Sequence, residues 1–326
     1  MPEVPIAAQR LRLSSCDYAG PDKADAVREL FGRTLMRVDL WACEGAVPLD
    51  FTVSVIPLGG EAVYTHGTHT PAHLWRSPAL MHDGADDLFL TTTQAGCIMR
   101  TERGDEAIPA GSYVVHSQAR AHQFIHTRGG RAATLKLPYA ALAQRLPRLE
   151  EAPLRLLPPA MPEPALAMGY AQLLASMPDE PALSSPLLRS AQSHLLELMA
   201  HMLAPGGQGA LPPESDAVDV PRLALIRRDI LARIAQHELS LAQIARLHHL
   251  TPRQVQRLFA REGSCFSDFV RDARLDRVRA VLADPRQHHR RVLEIVLNNG
   301  FDDFSAFSRA FKRRFGMTPT EVRNAG

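Results

Sequence analysis

The sequence lacks the features that mark exported, membrane-spanning or disulfide-linked proteins. No apolar run approaches the roughly 18 residues that a membrane-spanning helix needs. The N-terminus has no basic segment followed by an apolar stretch, so we expect no secretory signal. The four cysteines are isolated and form neither a CxxC pair nor a Cys/His cluster. We therefore expect reduced thiols in a cytoplasmic protein with no membrane partner.

Motifs for catalysis are missing as well. The sequence contains no GxSxG nucleophile motif, no Walker A phosphate loop and no GxGxxG in a strand–helix context. No other pairing of a nucleophile with a base is recognisable. The sequence thus predicts neither an enzyme nor a bound cofactor.

Charge is distributed unevenly along the chain. The net charge of the 326 residues is only +2. Residues 220–326, however, hold 20 Lys and Arg against 11 Asp and Glu, a balance of +9, which leaves −7 for residues 1–219. This asymmetry favours a polyanionic partner for the C-terminal region, although a solvated charged surface would have the same composition.

Composition also indicates a domain boundary. Residues 204–221 are rich in Gly, Pro and acidic residues and lack helical or strand periodicity, which is typical of a linker. We predict one domain over residues 1–203 and a second over residues 222–326.

The N-terminal domain contains a β-rich region and two helices. From about residue 49 to 137, apolar and polar residues alternate, as at Phe51, Val53 and Val55, between closely spaced turns. This pattern predicts a sandwich or small barrel. Two helices are predicted within about residues 164–203.

The second of these helices carries a short apolar stripe. The stripe consists of Leu188, Ala191, Leu195, Leu198 and Met202. Two chains could pair such stripes to form a homodimer, or the stripe could pack on its own barrel. Both interpretations stay open at this point.

Two helix-start signals close together mark the first motif of the C-terminal domain. Ser240 with Gln243, and Thr251 with Gln254, each form a capping box, and Pro252 stands at the first position of the second helix. Two short capped helices separated by about three residues are a helix-turn-helix signature.

The second helix of this motif has two chemically different faces. Val255, Leu258 and Phe259 fall on one face and can pack on the first helix. The opposite face carries Arg253, Gln256, Arg257 and Arg261. Because Arg and Gln can each make two hydrogen bonds to one base edge, this face is predicted to read DNA.

A second helix-turn-helix unit follows the first. Val292, Ile295 and Val296 indicate its first helix, and Gly300 ends the turn. A helix capped by Asp302 or Asp303 then places Phe307 and Phe311 inward. Its outward face carries Ser305, Ser308, Arg309 and Lys312, and Phe304 could join either side.

One long helix is predicted between the two units, over residues 265–284. About 20 helical residues span roughly 30 Å, and one turn of DNA is about 34 Å. A rigid connector of that length could set two reading helices in successive major grooves.

The C-terminal third resembles the DNA-binding domain of AraC/XylS regulators. The segments LSLAQIARLHHLTPRQVQRLFAREG and GFDDFSAFSRAFKRRFGMTPTEVR match that family closely. The resemblance implies a transcription regulator that binds double-stranded DNA and contacts RNA polymerase. Members of this family are mostly activators, so activation is the expected role. It assigns base reading to Arg253, Gln256, Arg257, Phe304, Ser305, Ser308 and Arg309. Arg291 departs from the family pattern, which usually has a capping Ser or Thr there, and Val296 stands where Ala is usual.

The N-terminal region is similar to the sensor domain of the XylS and FeaR branch. The similarity rests on FLTTTQAG, on IPAGSYVVHS and on the spacing of turns. It implies a jelly-roll-like barrel that binds a small organic effector. The expected fold is therefore α+β, with a barrel and flanking helices followed by an all-α domain of two helix-turn-helix units.

A group of histidines suggests a rival function. His66, His69 and His73 have the spacing H-x2-H-x3-H, and His116 and His122 follow. The HxH pair and the nearby glutamate of cupin metal sites are missing, so we expect no bound metal. The alternative is a cupin-like metal-binding enzyme or metal sensor fused to a DNA-binding module.

Overall fold

The chain forms two compact units. The computed structural model describes residues 10–18, 23–45, 48–59, 61–146, 149, 155–158, 161–177, 185–204, 216–248 and 250–325. Its contacts divide the chain into residues 1–221 and residues 222–326. Each unit is considered by itself below.

Two antiparallel sheets build the N-terminal unit. One has seven strands in the order β1-β3-β4-β11-β6-β9-β12, and the other has five in the order β2-β5-β10-β7-β8. The strands are β1 Leu11–Ser14, β2 Asp39–Ala42, β3 Phe51–Pro57, β4 Val63–His69, β5 Ala72–Arg76, β6 Leu88–Thr93, β7 Cys97–Thr101, β8 Gly104–Ile108, β9 Tyr113–Ser117, β10 His122–His126, β11 Gly130–Leu137 and β12 Arg155–Leu156. Together with the helical C-terminal unit, these sheets confirm the α+β fold class and the jelly-roll-like arrangement.

The sheets extend beyond the predicted range of residues 49–137. β1 pairs with β3 and β2 pairs with β5, and both precede that range, whereas β12 follows it and pairs with β9. Each of these strands has four residues or fewer. So short a segment shows too little alternation to be recognised, and its pairing partner lies far away in the sequence.

The apolar residues of β3 are buried, as their alternation with polar residues predicts. Phe51, Val53 and Val55 are buried, while Thr52 and Ser54 between them are only partly so. The three apolar side chains belong to a core cluster with Val27 and Phe31. The inward face of the seven-stranded sheet therefore supplies part of the core.

Helices flank the two sheets. They are α1 Lys23–Val27, which continues into a π-helical stretch Arg28–Met36, then α2 Tyr139–Ala143, α3 Glu163–Ala175 and α4 Ser185–Leu203. α3 packs on α4 and also contacts β4 and β11. The two helices predicted within residues 164–203 correspond to α3 and α4.

The apolar stripe of α4 is part of the core and not a free seam. Ala191, Leu195, Leu198 and Met202 are fully buried within one chain, and Leu188 is partly buried. A side chain that pairs two copies has to be accessible in the single chain. The dimer interpretation of this stripe is therefore wrong, because α2 and α3 already cover α4.

Arg76, at the end of β5, joins three segments of the N-terminal unit. Its side chain is fully buried, and its two Nη atoms donate to the Asp83 carboxylate at 2.8 and 2.7 Å. It also donates to the main-chain oxygens of Gln118 and Arg37, at 3.0 and 2.9 Å. The hydrogen bond from Arg76 lowers the pKa of Asp83 to about 2, so this pair is charged at neutral pH.

The C-terminal unit is entirely helical in its described residues. Its helices are α5 Asp216–Ala232, α6 Leu241–Leu247, α7 Pro252–Arg261, α8 Phe266–Ala283, α9 Val292–Leu297, α10 Phe304–Phe315 and α11 Pro319–Ala325. No helix among the described residues is long and apolar enough to cross a membrane.

The structure differs from the predicted linker, residues 204–221, at its C-terminal end. α5 begins at Asp216 and contains Pro221, and residues 205–215 lie outside the described residues. Leu223, Ile226 and Ile230 of α5 are buried in a core cluster of the C-terminal unit. Their packing stabilises the helix. Its start was not predicted, because proline and acidic residues are unfavourable for helix formation and made this segment resemble a linker.

Replacing Leu195 by Ala distinguishes a core residue from a dimer contact. We expect Leu195→Ala to lower the free energy of unfolding by about 2–5 kcal/mol, because it leaves a cavity in a packed core. Leu187→Ala on the same helix is the matched control, since Leu187 is 41% exposed and should change stability little. Urea unfolding of the full chain, followed by circular dichroism, measures both. Unchanged stability with a weakened dimer would restore the seam interpretation.

Candidate nucleic-acid interface

Both capping boxes of the first helix-turn-helix unit form as predicted. The Ser240 hydroxyl accepts from the Gln243 N–H at 3.3 Å, and the Gln243 side chain accepts from the Ser240 N–H at 3.1 Å. Thr251 and Gln254 repeat the arrangement at 3.3 and 2.8 Å. These reciprocal bonds fix where α6 and α7 begin, and hence which residues of α7 lie in its first turn.

The exposed face of α7 carries most of the predicted reading residues. Val255, Leu258 and Phe259 are buried against Ile244 and Ala245 of α6. The side chains of Arg253, Gln256 and Arg261 are exposed, whereas Arg257 is only partly exposed. Arg257 therefore presents less of its guanidinium to a partner than the helical spacing alone suggests.

In the second unit, the structure decides between two candidate caps. Asp303 Oδ1 accepts from the N–H groups of Ser305 and Ala306 at 2.8 and 2.9 Å, so Asp303 caps α10. Asp302 is instead exposed, with its carboxylate 3.4 Å from the His237 ring.

The exposed face of α10 includes the remaining predicted residues. Phe307 and Phe311 are buried in a second core cluster, but Phe304 is 39% exposed and lies on the outer side. Ser305, Arg309 and Lys312 are exposed, and Ser308 is partly exposed. A shallow groove follows this face, lined by Phe304, Ser308, Arg309, Lys312, Arg313, Thr318, Pro319 and Thr320.

Charge pairing separates structural arginines from available ones. Arg314 contacts the carboxylates of Asp272 and Asp276, so it holds α10 against α8. Within the described part of the chain, Arg253, Arg309 and Lys312 make no ion pair. These three cations are therefore free to meet an anionic partner, and their contact with DNA stays a prediction.

α8 connects the two helix-turn-helix units by belonging to both cores. Phe266 and Val270 pack in the cluster of the first unit, whereas Leu275, Val278 and Leu282 pack in that of the second. The helix has 18 residues and is about 27 Å long. It confirms the predicted connector and its apolar stripe.

Arg274 in the middle of α8 links the two helix-turn-helix units to each other. Its Nε and Nη2 donate to the main-chain oxygens of Ile234 and Gln236, at 3.1 and 2.7 Å, before the first unit. Its Nη1 donates to the Gly300 oxygen at 2.7 Å, in the turn of the second unit. The sequence did not reveal this residue, because main-chain acceptors leave no pattern of side-chain types.

Gly300 makes room for that guanidinium. Its φ is +83°, the left-handed conformation expected for a turn glycine. A Cβ at this position would lie 2.5 Å from Arg274 Cζ. Nearby, Arg277 Nε donates to Asn299 Oδ1 at 2.8 Å, which adds a second tie between α8 and this turn.

The candidate metal ligands do not converge. His66 and His69 lie three residues apart on β4, so their side chains lie on opposite faces of the strand. His73 lies on the other sheet, stacked on Trp41 and within 3.0 Å of the Gln123 amide. Among the described residues, no group of three His, Cys, Asp or Glu side chains is arranged to hold a metal ion.

Adding a methyl group at Gly300 tests the Arg274 contact. We expect Gly300→Ala to destabilise the chain more than Gly263→Ala, since both glycines have positive φ but only Gly300 contacts a side chain. The backbone cost alone is about 1–2 kcal/mol at each position. Chemical unfolding of both variants gives the difference. Equal destabilisation would show that Arg274 moves aside without loss.

Comparison with known proteins identifies the C-terminal unit. A family model described as a helix-turn-helix domain matches residues 244–325. The transcriptional activator RhrA of Rhizobium meliloti (strain 1021) is 33% identical over 103 residues, which are 31% of this chain and 32% of the relative. The XylDLEGF operon transcriptional activator of Pseudomonas putida is 30% identical over 88 residues, which are 27% of each protein. The matches thus span no more than about a third of these relatives.

A structural comparison covers more of the chain. The crystal structure of the AraC-like transcriptional activator CuxR is 15% identical, with a TM-score of 0.50. The likeness covers 82% of this chain and 94% of that chain, and it concerns the fold alone. The C-terminal unit therefore contains a helix-turn-helix domain that is similar to those of AraC/XylS-type transcription regulators.

Proposed function

We propose that this chain is a sequence-specific DNA-binding transcription regulator that acts as an activator. The observation that carries the proposal is the pair of exposed cationic faces, on α7 and α10, fixed to one connecting helix. The names of the relatives RhrA and the XylDLEGF operon activator support the activator role. Double-stranded DNA is a polyanion, so its charge complements these two cationic faces.

Each reading face contains the chemistry for one kind of base contact. Arg253 can donate two hydrogen bonds to a guanine, and Gln256 can bond both edge atoms of an adenine. Phe304, exposed on α10, can pack on a thymine methyl group, beside Ser305 and Arg309. Lys312 lies two turns further along α10 and suits a phosphate.

Control of this activity is assigned to the N-terminal unit. The two sheets enclose a cavity of about 800 Å³, which is large enough for a small organic effector. An effector that binds one arrangement of the protein more tightly shifts the population that is competent to bind DNA or RNA polymerase. The regulator would act in the cytoplasm, as a homodimer through a surface other than the buried stripe of α4, and without enzymatic activity.

Substitution of one arginine in each reading helix tests direct readout. A preferred site is first selected from a random duplex library with the full-length protein. Arg253→Ala and Arg309→Ala should each lose about 1–3 kcal/mol of binding on that site and relax the preference at one position, in different half-sites. Arg12→Ala, an exposed arginine on β1, is the control and should bind normally. Equal losses on selected and scrambled DNA would mean that these arginines contact phosphates only.

Loss of the Arg274 contacts should change which spacing between two DNA half-sites the protein prefers. The wild-type protein should prefer half-sites about 10 base pairs apart, because one rigid helix carries both readers. Arg274→Met removes the three main-chain contacts, so we expect weaker binding but a flatter dependence on spacing, with base preference in each half-site retained. Mobility-shift titrations on operators with zero, one, two and five inserted base pairs measure this profile. An unchanged profile in a folded variant would remove Arg274 from the reading geometry.

A further inference from the structure

The cavity between the two sheets has an apolar body. Phe51, Val53 and Val55 line it from the seven-stranded sheet, and Leu74 and Phe124 line it from the five-stranded one. Its volume of about 800 Å³ lies in the range of small-molecule sites. Aromatic rings on both sheets suit a flat, ring-containing occupant.

One wall of the cavity is polar. Thr65, Thr134 and Thr91 lie directly opposite one another across β4, β11 and β6. The Thr91 hydroxyl lies 3.1 Å from the Thr134 hydroxyl and 2.9 Å from His116 Nε2. Thr91, Thr134 and His116 thus form a hydrogen-bonded row of polar groups, and Thr65 lies next to this row.

Two histidine pairs bring the sheets together around Phe124. His69 of β4 meets His126 of β10, with 4.4 Å between ring centroids, and His116 of β9 meets His122 of β10 at 4.9 Å. The Phe124 ring lies 4.9 Å from His116 and 6.3 Å from His126. All four imidazoles line the cavity.

Several buried polar atoms on this lining have no hydrogen-bond partner among the described residues. They are His69 Nε2, Thr93 Oγ1, His116 Nδ1 and His126 Nδ1. His69 Nδ1 donates to the Thr70 oxygen at 3.0 Å, which leaves Nε2 as a lone-pair acceptor. Thr93 and His126 are 97% and 93% buried. Unpaired polar atoms gathered on one cavity indicate a bound molecule that pairs them.

Charge on the lining argues against an anionic occupant. Lys136 Nζ is 2.7 Å from the Asp87 carboxylate, and Arg37 lies 3.8 Å from that of Asp83. Burial lowers the pKa of His122 to about 4, and burial together with His69 lowers that of His126 to about 3. These imidazoles are thus uncharged at neutral pH. A carboxylate would lose its hydration without gaining an unpaired cation.

We propose that this cavity binds an uncharged organic molecule that carries a hydroxyl group on an apolar, ring-containing body. The hydroxyl donates to His69 Nε2, and the ring packs on Phe124. Ala132 of β11 pairs with Thr93 of β6, and its small side chain leaves space for the body of the molecule at this end. That the molecule acts as the effector rests on the proposed function, whereas its binding does not.

Direct binding to the full-length protein in the absence of DNA tests the proposal. The probes are phenols and cyclic alcohols of one to three rings, each paired with the carboxylate of the same skeleton and with the parent hydrocarbon. Isothermal titration at neutral pH should show at least one hydroxyl compound that binds tenfold or more tightly than its carboxylate, and more tightly than its hydrocarbon. Tighter binding of the carboxylates, or no binding across the panel, overturns the proposal.

A matched pair of variants assigns the contact. His69→Phe should weaken the best hydroxyl probe about tenfold while leaving the parent hydrocarbon unchanged. His73→Phe is the control, since His73 lies outside the cavity lining, and it should bind both probes normally. Thr93→Val provides a second test if His69→Phe fails to fold. Unaltered hydroxyl selectivity in both cavity variants contradicts the assignment.

Measuring DNA affinity with and without the probe separates the two hypotheses. A probe that binds but leaves DNA affinity and transcription unchanged supports the site and rejects its role as an effector site. Specific DNA binding by a protein that takes no hydroxyl probe rejects the site and leaves the regulator assignment intact.

Discussion

Arg274 donates hydrogen bonds to main-chain oxygens that precede and follow α8 in the sequence, and the geometry of the C-terminal unit depends on these contacts. Hydrogen bonds from a charged group are worth about 1.5–3 kcal/mol, and removing the donor would leave the part-buried carbonyls of Ile234 and Gly300 unpaired. Each apolar core packs one helix-turn-helix unit against α8. Arg274, in contrast, contacts main-chain oxygens of both segments and so links the two helix-turn-helix units directly. Gly300 is required for the same reason, because a Cβ there would occupy the position of the guanidinium.

A buried arginine has the corresponding role in the N-terminal unit. Arg76 donates hydrogen bonds to the Asp83 carboxylate and to the main-chain oxygens of Gln118 and Arg37. Arg37 has a φ of +55°, a strained conformation for a residue other than glycine, and its contact with Arg76 stabilises it. Residues 34–38 line the cavity next to this contact. One ion pair therefore keeps part of the cavity wall in place, and the low pKa of Asp83 keeps that pair charged at neutral pH.

Local signals in the sequence predicted local features well. The capping boxes at Ser240 and Thr251 and the inward face of α7 depend on residues three or four positions apart, so they could be read directly. The stripe of α4 was equally visible, but its partner was not, because burial by α2 and α3 is a property of the folded chain. Arg274, Arg76 and the histidine pairs were not predictable for the same reason: each joins segments far apart in sequence through main-chain or ring contacts.

The unpaired atoms of the cavity also limit how strongly a ligand can act. Each buried polar atom left without a partner costs about 1–3 kcal/mol, so pairing the His69 and His126 nitrogens could supply about 2–6 kcal/mol. Moving a two-state protein from 1:99 to 99:1 requires about 5.5 kcal/mol of differential binding. A ligand with a single hydroxyl, which satisfies one of these atoms, falls short of that amount. Such a ligand should therefore produce a graded response, and a full switch would need a second polar group that reaches His126 or Thr93.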